Sequence, residues 1–287
     1  MSGPLDAEII LALDRLGWRA LSWRRISTIR AAEHARSVFA VELEGSRIIK
    51  ARRLEDAASA SRLVEIRDGA PAGFAPVIER CEAVLFEPWI EGDDLAHVPP
   101  TTAHLSEAAA LLARLHGTRT ALGCPLPVAE STAREREAAE RARHRLAADG
   151  HLRQTENDEI GSSLARLDPG RALAGVVHTD FCGENMVIDQ RGRLHVIDNE
   201  RMGIGPLGLD VARTWYRWAL PPEAWEHFRC DYRGWMPQDD ALPHLAFWAI
   251  VATLKSAVLR LQLEPQRAHL PIARLRQAMA DIDGFAP

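Results

Sequence analysis

Lysine is almost absent from this chain of 287 residues, in which 33 of the 35 basic side chains are arginine and only Lys50 and Lys255 are lysine. An excess of positive charge is absent as well, because 40 acidic side chains give a net charge of −5. The composition therefore gives no sign of a nucleic-acid or anionic-membrane partner. In such an arginine-rich chain, each lysine is a candidate for a role that a broad guanidinium would fill differently.

Cysteines and long apolar runs are also scarce. The four cysteines, Cys81, Cys124, Cys182 and Cys230, form no C-x-x-C pair, which predicts reduced thiols rather than a disulfide framework or a zinc site. The longest apolar run, 245–254, is about half the length needed to cross a bilayer. The N-terminal segment lacks the basic-then-apolar pattern of a signal peptide. We therefore expect a cytoplasmic protein without a membrane partner.

The first 90 residues predict a small sheet with one crossing helix. A helix is expected over 5–16, and Asp56 is the expected cap of a second helix that ends near Arg67. Alternating apolar residues and turn signals predict strands over 18–26, 37–43 and 46–54, the last two joined as a hairpin at Glu44–Gly45, and a strand or strand pair over 81–90.

From residue 101 onward the pattern becomes mainly helical. An apolar stripe contains Leu105 and Leu112 at helical spacing. Thr132 and Glu135 predict a capping box for a charged, solvated helix over 131–149. We therefore expect two domains, an N-terminal domain over 1–90 and a C-terminal domain over 91–287.

The stretch 176–200, VVHTDFCGENMVIDQRGRLHVIDNE, is the most informative part of the sequence. Two strand-like segments flank a turn at 189–192, which places Asn185 and Asp198 at the open end of one hairpin with Asp180 just upstream. Amide and carboxylate oxygens suit Mg²⁺ that arrives bound to phosphates, so Asn185 and Asp198 are candidate metal ligands. Asp180 would accept the proton of a hydroxyl nucleophile. The spacing H-x-D-x-x-x-x-N, followed by a metal-binding aspartate, indicates phosphoryl transfer.

The residues His178 to Asn185 and Ile197 to Glu200 resemble the aminoglycoside phosphotransferase and choline kinase-like family, which is related to the protein kinases. Further agreement comes from the segments Leu115–His116, 86–92 and 208–212, so that the resemblance covers roughly residues 20–250 in pattern.

The resemblance implies an α+β, two-lobed protein kinase-like fold. Its small N-terminal lobe would hold an antiparallel sheet with one crossing helix, and its larger, mainly helical C-terminal lobe would carry the catalytic hairpin. ATP or GTP would be the phosphoryl donor and Mg²⁺ the cofactor. The implied roles are base for Asp180, loop brace for His178, phosphate binding for Lys50, backbone anchor of the catalytic loop for Asp210, metal support for Glu200, and main-chain contact with the nucleotide base for the segment containing Glu87, Trp89 and Ile90.

Two features depart from the family pattern. The predicted phosphate-covering loop, over 29–41, contains no glycine, so His34, Arg36 or Ser37 would have to compensate for the missing close backbone approach. The helix glutamate that should pair with Lys50 is ambiguous: we favour Glu65, because Glu55 lies too near the strand end to turn back.

Alternative functions remain open at this point. The acceptor could be an antibiotic, an amino alcohol, a sugar or a Ser/Thr side chain of a peptide, and the oligomeric state is not predicted. The glycine-free loop motivates a nucleotide-binding pseudokinase with a regulatory or scaffold role. A dinucleotide-binding oxidoreductase is a weaker alternative, since the G-x-G-x-x-G spacing at 203–208 comes late in the chain and contains Pro206. Residues 220–287 hold eight acidic and seven basic side chains, which gives no support for a polycationic acceptor.

Overall fold

The computed structural model describes residues 4–26, 37–118, 126–236 and 242–282, and the chain divides into two compact units. The N-terminal unit comprises Met1–Asp93 and Val187–Glu200, and the C-terminal unit comprises Asp94–Met186 and Arg201–Pro287.

The described residues form strands and helices in mixed order along the chain. In chain order they are α1 (Ala7–Arg15), β1 (Ala20–Arg25), β2 (Val38–Leu43), β3 (Arg47–Arg53), α2 (Ala57–Asp68), β4 (Glu79–Cys81), β5 (Val84–Pro88), β6 (Gly92–Asp94), α3 (Thr102–His116), β7 (Leu126–Val128), α4 (Ala129–Ala148), α5 (Gln154–Leu167), β8 (Ala172–Val177), β9 (Met186–Asp189), β10 (Leu194–Val196), β11 (Gly203–Pro206), α6 (Leu207–Arg217), α7 (Pro222–Trp235), α8 (Leu245–Leu263) and α9 (His269–Ala280).

A five-stranded antiparallel sheet in the order β1-β2-β3-β5-β4 forms the centre of the N-terminal unit. The predicted hairpin of β2 and β3 is confirmed, and its turn places Gly45 and Ser46 at φ 87° and 62°, a region that glycine enters without steric cost. Buried side chains of α1, including Ile9 and Leu13, pack with Val41 and other sheet residues to form a fully enclosed core. The sheet thereby becomes a rigid support for the polar side chains of β3 and β5.

Helix α2 begins as the sequence predicts. The Asp56 side chain accepts a hydrogen bond from Ser59 N at 2.6 Å, so that one of the unpaired N–H groups of the first turn is satisfied. The helix buries Leu63, Ile66 and Arg67, and it ends at Gly69. Arg67 is therefore presented to the interior of this unit, while Glu65 faces solvent.

The sequence predicts a single division near residue 90, whereas in the structure Val187–Glu200 belongs to the N-terminal unit. The reason is backbone pairing: Ala75 N donates to Val196 O at 2.9 Å, and Val196 N donates to Gly73 O at 2.7 Å. Gly92 also lies so close to β9 that a Cβ atom there would stand 1.9 Å from Ile188 O. Asp198 is thus carried by the N-terminal unit.

The C-terminal unit contains a small antiparallel sheet, in the order β11-β8-β7, among helices. Helix α8 is the one helix of the described residues that is long and apolar enough to cross a membrane, but most of it is buried inside this unit. It packs against α4, α6 and α9 and is the central core helix.

The capping box predicted at Thr132 and Glu135 is wrong, because α4 begins at Ala129 and both residues lie inside the helix. Both are also buried, on the same helix face as Ala139, so this helix is not solvated all round. The Glu135 side chain forms an ion pair with Lys255 on α8, which gives the second lysine of the chain a partner. Lys255 of α8 thus gives Glu135 a partner on the inner face of α4.

Candidate active site

The loop that follows β8 carries His178, Thr179 and Asp180, and it is held by a buried carboxylate on α6. Asp210 accepts hydrogen bonds from His178 N and Thr179 N, each at 2.7 Å. Only 2% of Asp210 is exposed. Two charge-assisted bonds to consecutive amides fix the path of the loop, which is the anchoring arrangement expected for Asp210.

Two further side chains extend this support. His116 Nε2 lies 3.2 Å from Asp210 Oδ2, and His116 Nδ1 lies 2.7 Å from the Tyr232 hydroxyl. Burial opposes ionisation of Asp210, but the hydrogen bond from His116 and the neighbouring histidines lower its pKa below the ordinary value. A chain of buried polar contacts therefore runs from α7 through α3 and Asp210 to the loop that carries Asp180, and the sequence did not indicate Tyr232.

Asp180 presents an enclosed carboxylate oxygen. Asp180 Oδ1 lies 3.2 Å from Arg217 Nη1, yet it accepts no hydrogen bond from any described residue. Arg217 also donates to Glu184 Oε2 at 2.8 Å, and although burial opposes its charge, Asp180 raises the pKa of Arg217. Arg217, which had no signal in the sequence, thus forms an ion pair with Asp180 without donating a hydrogen bond to Oδ1.

The backbone around Asp180 is unusual. Thr179 has φ 67°, a left-handed conformation that costs a β-branched residue on the order of 1–3 kcal/mol. His178 is fully buried, and its Nδ1 accepts a hydrogen bond from Asp180 N at 3.3 Å. His178 therefore braces the loop from inside.

Asn185 ends a short 3₁₀ turn, Gly183–Asn185, and is 7% exposed. Its Nδ2 donates to Asp180 O at 2.8 Å, so the amide oxygen is the end of the side chain that remains to act as an acceptor or ligand. Gly183 is needed here because a Cβ atom would lie 2.8 Å from Trp218 Nε1. The neighbouring Cys182 is buried, and burial raises the pKa of its thiol to about 12, which argues against a nucleophilic role.

The N-terminal unit contributes a separate ionic cluster centred on Lys50 and Glu87. These residues are cross-strand partners on β3 and β5, and their side-chain charges lie 3.9 Å apart. Lys50 Nζ also donates to Asp198 Oδ1. Lys50 is 8% exposed and Glu87 only 2%, so both side chains are shielded from bulk water and are stabilised by their ion-pair partners.

Two arginines complete this cluster. Arg52 donates to Asp198 Oδ1 at 3.0 Å and ion-pairs with Glu200 Oε2 at 2.5 Å. Arg67 of α2 donates to the Glu87 carboxylate. The cluster thus balances three cations, Lys50, Arg52 and Arg67, against three carboxylates, Glu87, Asp198 and Glu200.

The expected pairing of Lys50 with Glu65 is not present, because Glu65 is exposed on α2 while the Lys50 side chain is turned inward. The carboxylate comes from β5 instead, and α2 supplies a cation, Arg67. Burial opposes ionisation of Glu87, but Arg52, Arg67 and Lys50 lower its pKa. Glu87 therefore does more in this structure than its expected main-chain contact with a nucleotide base.

Two of the other expected nucleotide-binding residues, Trp89 and Ser37, already contact other parts of the protein. Trp89 N donates to Ile48 O, and the guanidinium of Arg24 lies 5.0 Å from the Trp89 ring centre, while Ile90 is partly buried. Ser37 donates to Asp6 Oδ2 at 2.5 Å, so its hydroxyl is already engaged. His34 and Arg36, the other candidates in the phosphate-covering loop, lie outside the described residues.

Comparison with known proteins identifies the family to which the chain belongs. The family model described as "Phosphotransferase enzyme family" matches residues 47–235, about two thirds of the chain. The chain belongs to this family. It is an ATP-dependent phosphotransferase that acts on hydroxyl groups of small molecules. No curated protein sequence matches the chain.

Solved structures of low sequence identity share the fold of this phosphotransferase. The choline kinase of Streptococcus pneumoniae is 13% identical, with a TM-score of 0.65, over 97% of this chain and 98% of the enzyme. The macrolide 2′-phosphotransferase of Brachybacterium faecium is 15% identical, with a TM-score of 0.63, over 96% and 97%. A spectinomycin phosphotransferase in complex with ADP and spectinomycin is 12% identical, with a TM-score of 0.61, over 99% of each chain. The predicted kinase-like fold is thereby confirmed.

The donor chemistry of the phosphotransferase fits Mg²⁺. Burial opposes ionisation of Asp198, but Lys50 and Arg52 lower its pKa to about 2, so its carboxylate is charged at neutral pH. Asn185 adds an amide oxygen. Within the described ranges no group of three or more His, Cys, Asp or Glu side chains could hold a metal. Each of these two side chains offers an oxygen of the kind that Mg²⁺ takes as a ligand, and the two residues belong to different units of the chain.

The G-x-G-x-x-G spacing at 203–208 has a structural explanation in this phosphotransferase. Its first four residues form β11, which is antiparallel to β8, so the segment does not open the parallel βαβ unit of a dinucleotide-binding site. Gly208 lies on α6 against Trp248, where a Cβ atom would stand 2.3 Å from Cδ1 of the indole. Close helix packing therefore requires this glycine.

Proposed function

We propose that this phosphotransferase moves the γ-phosphoryl group of ATP to an acceptor hydroxyl with Asp180 as the base. The observation that carries the proposal is the environment of Asp180. Its Oδ1 is enclosed, lies 3.2 Å from Arg217 Nη1 and accepts no hydrogen bond from the described residues, on a loop that Asp210 holds at two amides. An acceptor hydroxyl supplies the donor that this oxygen lacks.

The reaction then follows from this contact. The acceptor O–H donates to Asp180 Oδ1, and the hydroxyl oxygen attacks the γ-phosphorus. A bond forms from that oxygen to phosphorus while the bond to the β,γ-bridging oxygen breaks, so that ADP leaves and the proton passes to Asp180. Most of the catalysis is positioning, since Asp210, His178 and Asn185 each hold part of the loop backbone.

In the N-terminal unit, Lys50 would bind the α- and β-phosphates and Glu87 would orient Lys50. Mg²⁺ would be held by Asn185 and Asp198 and would neutralise charge on the phosphates. Arg52 binds both Asp198 and Glu200 and so holds these two carboxylates in place. A lysine suits the phosphate role because its ammonium is a compact charge that fits between oxygens. GTP would serve the same chemistry, and the main chain of Glu87 to Ile90 is the segment proposed to discriminate the bases.

The proposal is tested with ATP, Mg²⁺ and a panel of hydroxyl compounds by following ADP release. We expect Asp180→Asn to lower turnover about 10²- to 10⁴-fold, the usual contribution of a general base. Asp281→Asn, an exposed aspartate at the end of α9, is the matched control and should leave turnover unchanged. Equal turnover of wild type and Asp180→Asn would reject Asp180 as the base, and ATP binding without transfer to any acceptor would favour the pseudokinase.

A further inference from the structure

A cavity of about 260 Å³ lies within the C-terminal unit, between the sheet and the helices. Its wall includes residues of β8, β11, α4, α6 and α8, and the chemically important ones are Arg134, Glu135, Arg201, Arg213 and Lys255. This volume lies just below the roughly 300–1,000 Å³ of pockets for drug-sized ligands, so the cavity suits a smaller molecule.

The charges of the cavity wall are unequal. Lys255 and Glu135 form an ion pair and so neutralise each other. The three arginines, by contrast, have no carboxylate within ion-pair distance among the described residues, so the wall presents uncompensated positive charge.

Asp210 does not compensate for these arginines. Although it lies at the cavity, its carboxylate already accepts two backbone N–H bonds, contacts His116 and is 2% exposed. Its charge is therefore committed to the catalytic loop.

Arg213 is the arginine of this wall whose hydrogen-bonding capacity is least satisfied by the protein. Its Nε is enclosed and donates to no described residue. An unpaired donor of a charged group is unfavourable when it is shielded from water. A planar guanidinium is satisfied best by two oxygens of a carboxylate or phosphate. The wall of the cavity thus selects an anionic group.

The cavity also adjoins the catalytic loop. Thr179, the residue before Asp180, lies in its wall. Arg213 precedes Arg217 by one turn of α6, and Arg217 is the ion-pair partner of Asp180. The cavity therefore extends to the residue next to Asp180 in the chain.

We propose that this cavity binds the acceptor, and that the acceptor carries an anionic group, a carboxylate or a phosphate, besides the hydroxyl that is phosphorylated. Arg201 and Arg213 bind the anion and so orient the hydroxyl. This inference rests on the proposed function, because it assigns the substrate class of the same site. A cationic acceptor, such as the choline named for one similar structure, would instead face three arginines without partners.

The test uses four three-carbon probes that differ in charge: glycerol, glycerate, glycerol 3-phosphate and 3-amino-1,2-propanediol. Their binding to the full-length protein is measured by isothermal titration calorimetry at constant ionic strength. We expect at least one anionic probe to bind at least tenfold more tightly than both glycerol and the amine. Arg201→Gln and Arg213→Gln should each remove most of that preference, while Arg166→Gln, an exposed arginine in the last turn of α5, should retain it.

The inference is overturned if no probe binds, if the neutral or cationic probe binds as tightly as the anions, or if both cavity variants keep the preference. The titration needs no turnover, so it is independent of the assay with Asp180→Asn. Loss of transfer in Asp180→Asn without an anion preference rejects the inference alone. An anion preference with transfer unchanged in Asp180→Asn rejects the proposed function and leaves an anion site.

Discussion

Replacing Glu87 by glutamine tests the ionic cluster of the N-terminal unit. Glu87 is 2% exposed, and its carboxylate is within ion-pair distance of Lys50, Arg52 and Arg67, which are themselves 8%, 3% and 7% exposed. Glutamine keeps the shape but leaves three buried cations facing two carboxylates. Removing one partner of a buried pair costs about 3–5 kcal/mol, because the other charge stays uncompensated.

This loss of free energy of unfolding can be measured by thermal unfolding, followed by circular dichroism. At about 2–4 °C per kcal/mol for a chain of this size, the Tm should fall by roughly 6–20 °C. Glu65→Gln is the matched control, since Glu65 is exposed on α2 and should change stability by no more than about 0.5 kcal/mol.

The contribution of Glu87 to the free energy of unfolding should also depend on pH. The pKa of Glu87 is lowered in the folded protein, so its stabilising contribution is present above the unfolded-state pKa and is lost as the pH falls through the folded-state pKa. The stability difference between wild type and Glu87→Gln should therefore be largest near neutral pH and shrink in acid. A Tm within 2 °C of wild type at pH 7, or an equal loss in Glu65→Gln, would refute this account of the cluster.

Three other substitutions test separate parts of the structure. Lys50→Arg should lower kcat/KM for ATP about tenfold or more, since a broad guanidinium replaces a compact ammonium, and unchanged kinetics would mean that the lysine has no special role. Asp210→Asn should cost about 1.5–3 kcal/mol of stability and lower kcat while ATP still binds, because asparagine replaces one of the two accepting carboxylate oxygens with an NH₂ group. An unchanged kcat would mean that Asp210 does not support the catalytic loop. Gly208→Ala should destabilise the protein by about 1–3 kcal/mol through its clash with Trp248, whereas Gly234→Ala, with open space around it, should not; equal effects would contradict the packing explanation.

The sequence predicted those features that depend on short spacing. The cap at Asp56, the hairpin of β2 and β3, and the family resemblance of 178–185 all involve residues close together in the chain, where turn chemistry and side-chain period act directly. The helix start near Thr132 failed for a physical reason: α8 provides buried packing and a lysine for Glu135, so tertiary contacts outweighed the local capping signal.

The carboxylate partner of Lys50 could not be predicted from local spacing in the sequence. Glu87 becomes its neighbour only through the pairing of β3 with β5, which are separated by α2 and β4 in the chain, and local spacing therefore favoured Glu65 instead. The same limit applies to the cavity, whose arginines come from α4, from the segment before β11 and from α6. Arg217 had no signal in the sequence, and its ion pair with Asp180 emerges only from the fold.

The central claim is that Asp180 accepts the acceptor proton, and the most direct test separates binding from chemistry. The dissociation constant for ATP with Mg²⁺ and the rate of γ-phosphoryl transfer to the acceptor are measured for wild type and Asp180→Asn. The account predicts an unchanged dissociation constant with a rate about 10²- to 10⁴-fold lower in the variant. A variant that transfers phosphate at the wild-type rate would contradict it.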